Sequence, residues 1–227
     1  MIRRFSPHLE VLPPAQKELW PALKPAAKLG LVLYGGTAIA LQLGHRYSLD
    51  FDFFTDRLLN REQMLSAFVF LKHSTLLQDQ PQTLSFLVSS HSAQQNPVKV
   101  SFFGTIDHGR AGEPRWTEDE ILQVASLDDL MATKLKTMLQ RIETKDYRDV
   151  AAMLKAGVSL SKGLVNASRM YGSANFQPSE SLKALVYFEG GDLDQLTAEE
   201  RRVLVQAASE VRDLPEAKIV AKALALP

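Results

Sequence analysis

The strongest constraint on this chain is the stretch 31–54, LVLYGGTAIALQLGHRYSLDFDFF. Leu31 to Tyr34 is a short apolar run with β-branched and aromatic content, stopped by Gly35-Gly36, and it reads as a strand. Two adjacent glycines permit a backbone that side chains forbid and let a ligand come close to the main chain. Thr37 is placed to cap a short helix over 38–43, which Gly44 ends. A helix opening after such a turn offers free N–H groups to a phosphate. Tyr47 to Phe54 then alternates like a strand. Asp50 and Asp52 share one face, roughly 6–7 Å apart, while Phe51 and Phe53 point to the core.

Neighbouring carboxylates repel each other, so the pair is costly unless a cation lies between them. Hard oxygen ligands with a phosphate nearby favour Mg²⁺, which makes Asp50 and Asp52 candidate metal ligands. The plain alternative is the solvent face of an ordinary strand, and for a bare D-x-D that alternative wins. The Gly-Gly-Thr turn upstream puts the metal site ahead. A calcium loop is excluded by the phenylalanines.

Composition sets the outer limits. The 227 residues suit one domain with an appended lobe. A hydrophobic share of 45% and a charged share of 23% are those of a soluble globular protein. The 26 basic and 26 acidic residues cancel, so any nucleic-acid contact is expected to be local rather than global. Without cysteine there are no disulfides or thiolate metal sites. No apolar run approaches the ~20 residues of a membrane span. The start, MIRRFSPHLEVLPP, has no apolar stretch after its basic residues and is not read as a signal peptide. A cytoplasmic location with no membrane partner is expected.

Along the rest of the chain, prolines break 1–30 into short helical pieces. Asn60 is placed to cap a helix over 60–72. Residues 83–89 and 98–103 read as a hairpin across a polar loop, with His91 exposed in it. On the second strand, Lys99-Val100-Ser101 puts no carboxylate on the outward face. The loop 104–117 is the best candidate boundary. Residues 126–154 read as a helix capped by Ser126, with Asp128-Asp129 at its positive end. Lys134, Met138, Arg141 and Lys145 fall on one stripe of that helix. On composition alone the stripe is a solvated face, and Asp146 and Asp149 pair with Lys145 and Arg148. Helical spacing recurs over 164–171 and 181–188. Thr197 and Glu200 form a capping box, and Pro215 starts a last short helix.

GG-T-A-x-A followed by HR-x-S-x-D-x-D-F-F resembles the first motif of DNA polymerase β-type nucleotidyltransferases, more narrowly the AbiEii/AbiGii toxins of bacterial abortive-infection and toxin–antitoxin systems. D-L-x-x-x-K-x6-R-x3-K-D-x2-D, from Asp129 to Asp149, is similar to the family's helical motif. The resemblance implies an α+β fold. A polymerase β-like core, a small mixed sheet flanked by helices, spans 1–115. A helical lobe over 116–227 completes the site with helix 126–154. It also implies that Gly35, Gly36 and Thr37 contact the triphosphate, helped by Arg46 and Ser48, and that Asp50 and Asp52 hold the catalytic Mg²⁺. Lys134 is implied to bind the nucleotide phosphates, with Arg141 and Lys145 supporting phosphate or substrate.

In that fold a third carboxylate usually sits where Ser101 stands and serves as general base. Asp146, or second Asp149, is the candidate to take over that role. The expected activity is Mg²⁺-dependent transfer of a nucleotide from an NTP to an acceptor, RNA such as tRNA among them. The expected partner is an antitoxin encoded nearby. The alternatives are a nucleotide-binding or interaction module without catalysis, and a transferase acting on a small molecule or a protein side chain.

Overall fold

A computed structural model describes residues 3–89 and 96–227. The chain divides into two compact units. The first comprises Met1–Gly109, Glu113–Ala125 and Lys222–Pro227, and the second Arg110–Gly112 and Ser126–Ala221.

In chain order the first unit holds β1 (Arg4–Phe5), α1 (Pro14–Leu19), α2 (Pro25–Lys28), β2 (Val32–Tyr34), α3 (Gly35–Leu43), β3 (Asp50–Phe54), α4 (Arg61–Ala67), β4 (Thr75–Gln80), β5 (Thr83–Val88), β6 (Val98–Phe103), β7 (Arg115–Thr117) and β8 (Gln123–Val124). The strands form one mixed sheet in the order β1-β7-β8-β2-β3-β6-β5-β4. At its centre β2 runs antiparallel to β3, and β3 runs parallel to β6. The register sets Asp50 beside Lys99, Phe51 beside Val100, and Asp52 beside Ser101. Side chains alternate across a sheet, so register partners share a face. Phe51, Phe53, Val100 and Phe102 form the inner face and are fully buried. Phe53 stacks on Phe102 with ring centroids 5.6 Å apart, and Trp20 meets Phe51 at 6.3 Å. Each such ring removed from water contributes roughly 1.5–3 kcal/mol. The other face carries Asp50, Asp52, Lys99 and Ser101.

The mixed sheet expected from the sequence is present, but it is larger than anticipated: eight strands among the described residues. β4 gave no strand signal because all six of its residues are exposed, so nothing in it alternates. It exists through pairing with β5. β3 begins at Asp50 rather than Tyr47, and Tyr47 and Leu49 lie exposed ahead of it. Thr37 does not cap α3. The helix opens at Gly35, and the Thr37 hydroxyl is used elsewhere. Gly44 ends α3 at φ 65° as expected. Asn60 caps α4 by accepting from the Gln63 N–H at 2.9 Å. That helix is shorter than anticipated, and a 3-10 segment, Val69–His73, follows it. His91 lies outside the described residues.

The second unit is helical: α5 (Leu127–Met138), α6 (Thr144–Lys155), α7 (Leu160–Tyr171), α8 (Pro178–Val186) and α9 (Ala198–Glu210). Ser126 caps α5, accepting from the Asp129 N–H at 3.1 Å. The capping box of Thr197 and Glu200 opens α9. The single helix expected over 126–154 is instead two helices, broken at 139–143. No glycine or proline marks the break. It is imposed from outside, because Asp192 accepts the Thr144 N–H at 2.6 Å and Gly191 lies against the Ile142 carbonyl. The last short helix expected from Pro215 does not form either. The chain there runs on to a bridge at Arg110, whose N–H donates to the Ala221 carbonyl at 2.8 Å.

Candidate active site

In the first unit the turn from β2 into α3 faces β3 directly. Tyr34 is the register partner of Asp52, so the next residue, Gly35, passes beside the Asp52 carboxylate. Gly35 sits at φ 73°, and a Cβ there would lie 2.7 Å from Asp52 Oδ2. Only glycine combines that backbone with that approach. The carboxylate thus sits at the first turn of α3, whose N–H groups lack intrahelical partners and carry the positive end of the helix dipole.

Behind this edge, the Thr37 hydroxyl donates to Ser48 Oγ at 2.8 Å and also to the Asp50 carbonyl. Both side chains are buried. They tie the helix to the entry of β3 and so fix where Asp50 starts. Arg46 is half-buried, and its guanidinium donates to the Tyr47 carbonyl at 2.8 Å. Asp50 and Asp52 alternate with fully buried phenylalanines and are themselves half-exposed. Ser101, beside Asp52, is fully buried and accepts from the Ser85 hydroxyl at 3.2 Å. A neutral serine pair therefore occupies the place expected for a third carboxylate.

The second unit brings Lys134, Arg141, Asp146 and Asp149 together. Lys134 Nζ lies 2.6 Å from Asp146 Oδ1 and 2.7 Å from Asp149 Oδ2, and all three side chains are buried. Arg141 Nε reaches Asp146 Oδ2 at 2.8 Å. Burial pushes the Asp146 carboxyl upward, but Arg141 and Lys134 outweigh it and hold the group below the usual carboxylate range. Arg141 Nε also lies 3.6 Å from Glu143 Oε2. Asp146 and Asp149 are thus paired with Lys134, not with Lys145 and Arg148 as helical spacing suggested. Lys145 pairs instead with Glu143 at 2.7 Å, and Arg148 with Glu200 at 3.2 Å. The common stripe of Lys134, Arg141 and Lys145 does not exist, because the break at 139–143 turns Arg141 back onto α6.

Two residues carry more than the sequence suggested. Asp129, expected only to suit a helix end, is buried. It accepts from the Ser126 hydroxyl at 2.7 Å and from the Ala111 N–H at 2.6 Å. Burial raises its pKa to about 6 against those hydrogen bonds. Its signal was the three-residue spacing from the Ser126 cap. Lys99 is the exposed register partner of Asp50, which only the strand pairing reveals.

Comparison with known proteins follows the same lines. The family model described as nucleotidyl transferase AbiEii toxin, type IV toxin–antitoxin system, matches residues 21–218. An uncharacterized protein of Aquifex aeolicus is 30% identical over 181 residues, covering 77% of this chain and 83% of its own. Among solved structures, a putative nucleotidyltransferase from H. pylori superposes with a TM-score of 0.59 at 18% identity, over 86% of this chain and 92% of that one. MenT4, a nucleotidyltransferase toxin from Mycobacterium tuberculosis, superposes with a TM-score of 0.53 at 12% identity, over 86% and 87%. These likenesses place the fold among the nucleotidyltransferases. Among the described residues no helix is long and apolar enough to cross a membrane.

Proposed function

The chain belongs to the AbiEii nucleotidyltransferase toxin family, and from that premise we propose that it transfers a nucleotide from an NTP to an RNA acceptor such as tRNA, with Mg²⁺. The observation that carries this reading is the half-exposed Asp50–Asp52 pair with Gly35 against Asp52. Family membership in a type IV toxin–antitoxin system implies a cognate antitoxin. NTP and RNA make this a cytoplasmic enzyme.

The residues fit the metal. Mg²⁺ keeps several waters and is bound through one or two carboxylates plus substrate phosphates, not in an all-protein cage. Asp50 and Asp52 supply such a pair on one face of β3. Among the described residues no group of three or more His, Cys, Asp or Glu forms a metal cage. Bound there, the ion would neutralise triphosphate charge and polarise the phosphoryl group under attack.

The chain's own residues do the positioning. The first turn of α3, at Gly35, Gly36 and Thr37, offers N–H groups to the triphosphate. The Thr37–Ser48 hydrogen bond holds that turn and β3 in register. The acceptor oxygen attacks the α-phosphorus in line, pyrophosphate leaves, and the acceptor's proton passes to solvent, because Ser101 cannot take it. Ser101 also favours the second reading, a module that binds NTP without transferring it.

The deciding experiment incubates the protein with Mg²⁺, each α-labelled NTP in turn and total RNA, with Asp52→Asn as the blank. Label on RNA from the wild type alone supports the enzyme. Binding of NTP–Mg²⁺ without transfer to any acceptor sinks it and leaves the binding module.

A further inference from the structure

We propose that Lys99 binds a backbone phosphate of the RNA acceptor, an assignment that rests on the nucleotidyltransferase reading above. Three observations carry it. The first is placement. Lys99 lies directly beside Asp50 on the parallel strand β6 and faces the same side of the sheet. Neighbouring strands are roughly 4.8 Å apart, well within the span of a lysine side chain. The second is order across the face. The Gly35 turn stands on the β2 side of the two carboxylates, and Lys99 stands on the β6 side. A nucleotide whose phosphates rest on the turn leaves the β6 side for the other reactant. Lys99 therefore meets the acceptor.

The third observation is availability. Lys99 is exposed, and among the described residues neither it nor the Asp50 carboxylate has a side-chain hydrogen bond or ion pair. An opposite-charge pair directly across two strands contributes only about 0.2–1 kcal/mol, so stability alone gives this lysine little reason to stay where it is. On β5, the residue beside Lys99 is Leu87, which offers no competing anion. The whole chain carries no net charge, so attraction to a polyanion must be local. Lys99 supplies that local charge on the side where a nucleotide's phosphates are not held. A neutral acceptor, such as a small alcohol or a protein hydroxyl, would have no use for it.

The test compares wild type, Lys99→Gln and Lys99→Arg in two binding assays with Mg²⁺. One follows anisotropy of a fluorescein-labelled single-stranded oligoribonucleotide over a salt series. The other titrates a fluorescent non-hydrolysable NTP analogue. Lys99→Gln is expected to weaken oligoribonucleotide binding about 5- to 10-fold and to lower the salt slope by about 0.7, the value for one phosphate contact on a single strand. NTP-analogue binding should stay within twofold of wild type, and Lys99→Arg should restore RNA binding and slope. An unchanged slope in Lys99→Gln, equal weakening of both ligands, or no oligoribonucleotide binding by wild type overturns the assignment. Failure of wild type to bind the NTP analogue instead overturns the nucleotidyltransferase reading, whatever the RNA result.

Discussion

Gly35 and Asp52 sit side by side only because glycine has no side chain: a Cβ on Gly35 would stand 2.7 Å from the Asp52 carboxylate. The same glycine holds φ at 73°, where an L side chain costs roughly 1–2 kcal/mol. Gly35→Ala should therefore lose about that much stability in urea unfolding and most of the nucleotide transfer, since Asp52 must move. Gly44→Ala is the control. It carries a similar backbone strain at φ 65° beside His8, away from the acids. It should lose comparable stability and keep transfer. Equal loss of transfer in both variants would show that strain, not the Asp52 contact, is what matters.

The ion-pair cluster around Lys134 makes a different prediction. Removing one partner of a buried ion pair leaves an uncompensated charge and costs about 3–5 kcal/mol. Lys134→Met removes the cation that two fully buried carboxylates share, while Asp146 keeps Arg141. It should destabilise the protein by that order in chemical denaturation. Arg141→Met removes a half-exposed partner and should cost clearly less. A Lys134→Met protein as stable as wild type would mean the cluster contributes nothing to folding.

Asp129 predicts a pH dependence of opposite sign to that of an ordinary paired carboxylate. Burial raises its pKa from 3.8 to about 6 in the folded protein, so the folded state holds the proton more tightly. Its contribution to stability is fully present below pH 3.8 and is lost as pH rises through about 6, an order of 3 kcal/mol. Asp146 works the other way, because its pKa is lowered, and its contribution fades as pH falls. In unfolding free energies measured between pH 4 and pH 7, wild type should lose stability relative to Asp129→Asn, by up to about 3 kcal/mol. Identical slopes would rule Asp129 out as the source.

Gly191 packs against the turn between α5 and α6. It has φ 55° and sits against the Ile142 carbonyl, where a Cβ would overlap the backbone. Gly191→Ala should cost about 2 kcal/mol or more, combining left-handed strain with a forced shift of the 139–143 turn. Thermal unfolding reads it directly. Gly157→Ala, at φ 85° with open space around it, should cost only the strain.

Local chemistry made part of this protein legible from its sequence. The Gly-Gly turn, the helix stopped by Gly44, the alternation of Asp50 and Asp52 with phenylalanines, and the caps at Asn60, Ser126 and Thr197 are short-range signals. Each depends on a few adjacent residues. The family motifs are made of the same stretches, which is why the nucleotidyltransferase fold could be anticipated.

Tertiary structure decided everything that depends on partners distant in the chain. β4 has no pattern of its own and is a strand only because β5 pairs with it. The spacing of Leu135, Leu139 and Ile142 continues a helix straight through 139–143, and only Asp192 and Gly191, some fifty residues on, break it. That break replaces a stripe of three cations with an ion-pair cluster in which Lys134 is buried against Asp146 and Asp149 and Arg141 meets Asp146 from the half-exposed side. Lys99 lies beside Asp50 only because β6 pairs parallel with β3 in that register. The physical reason is the same in each case. A hydrogen bond or ion pair across the fold outweighs a propensity worth less than 1 kcal/mol per residue, and no window of local sequence contains both of its ends.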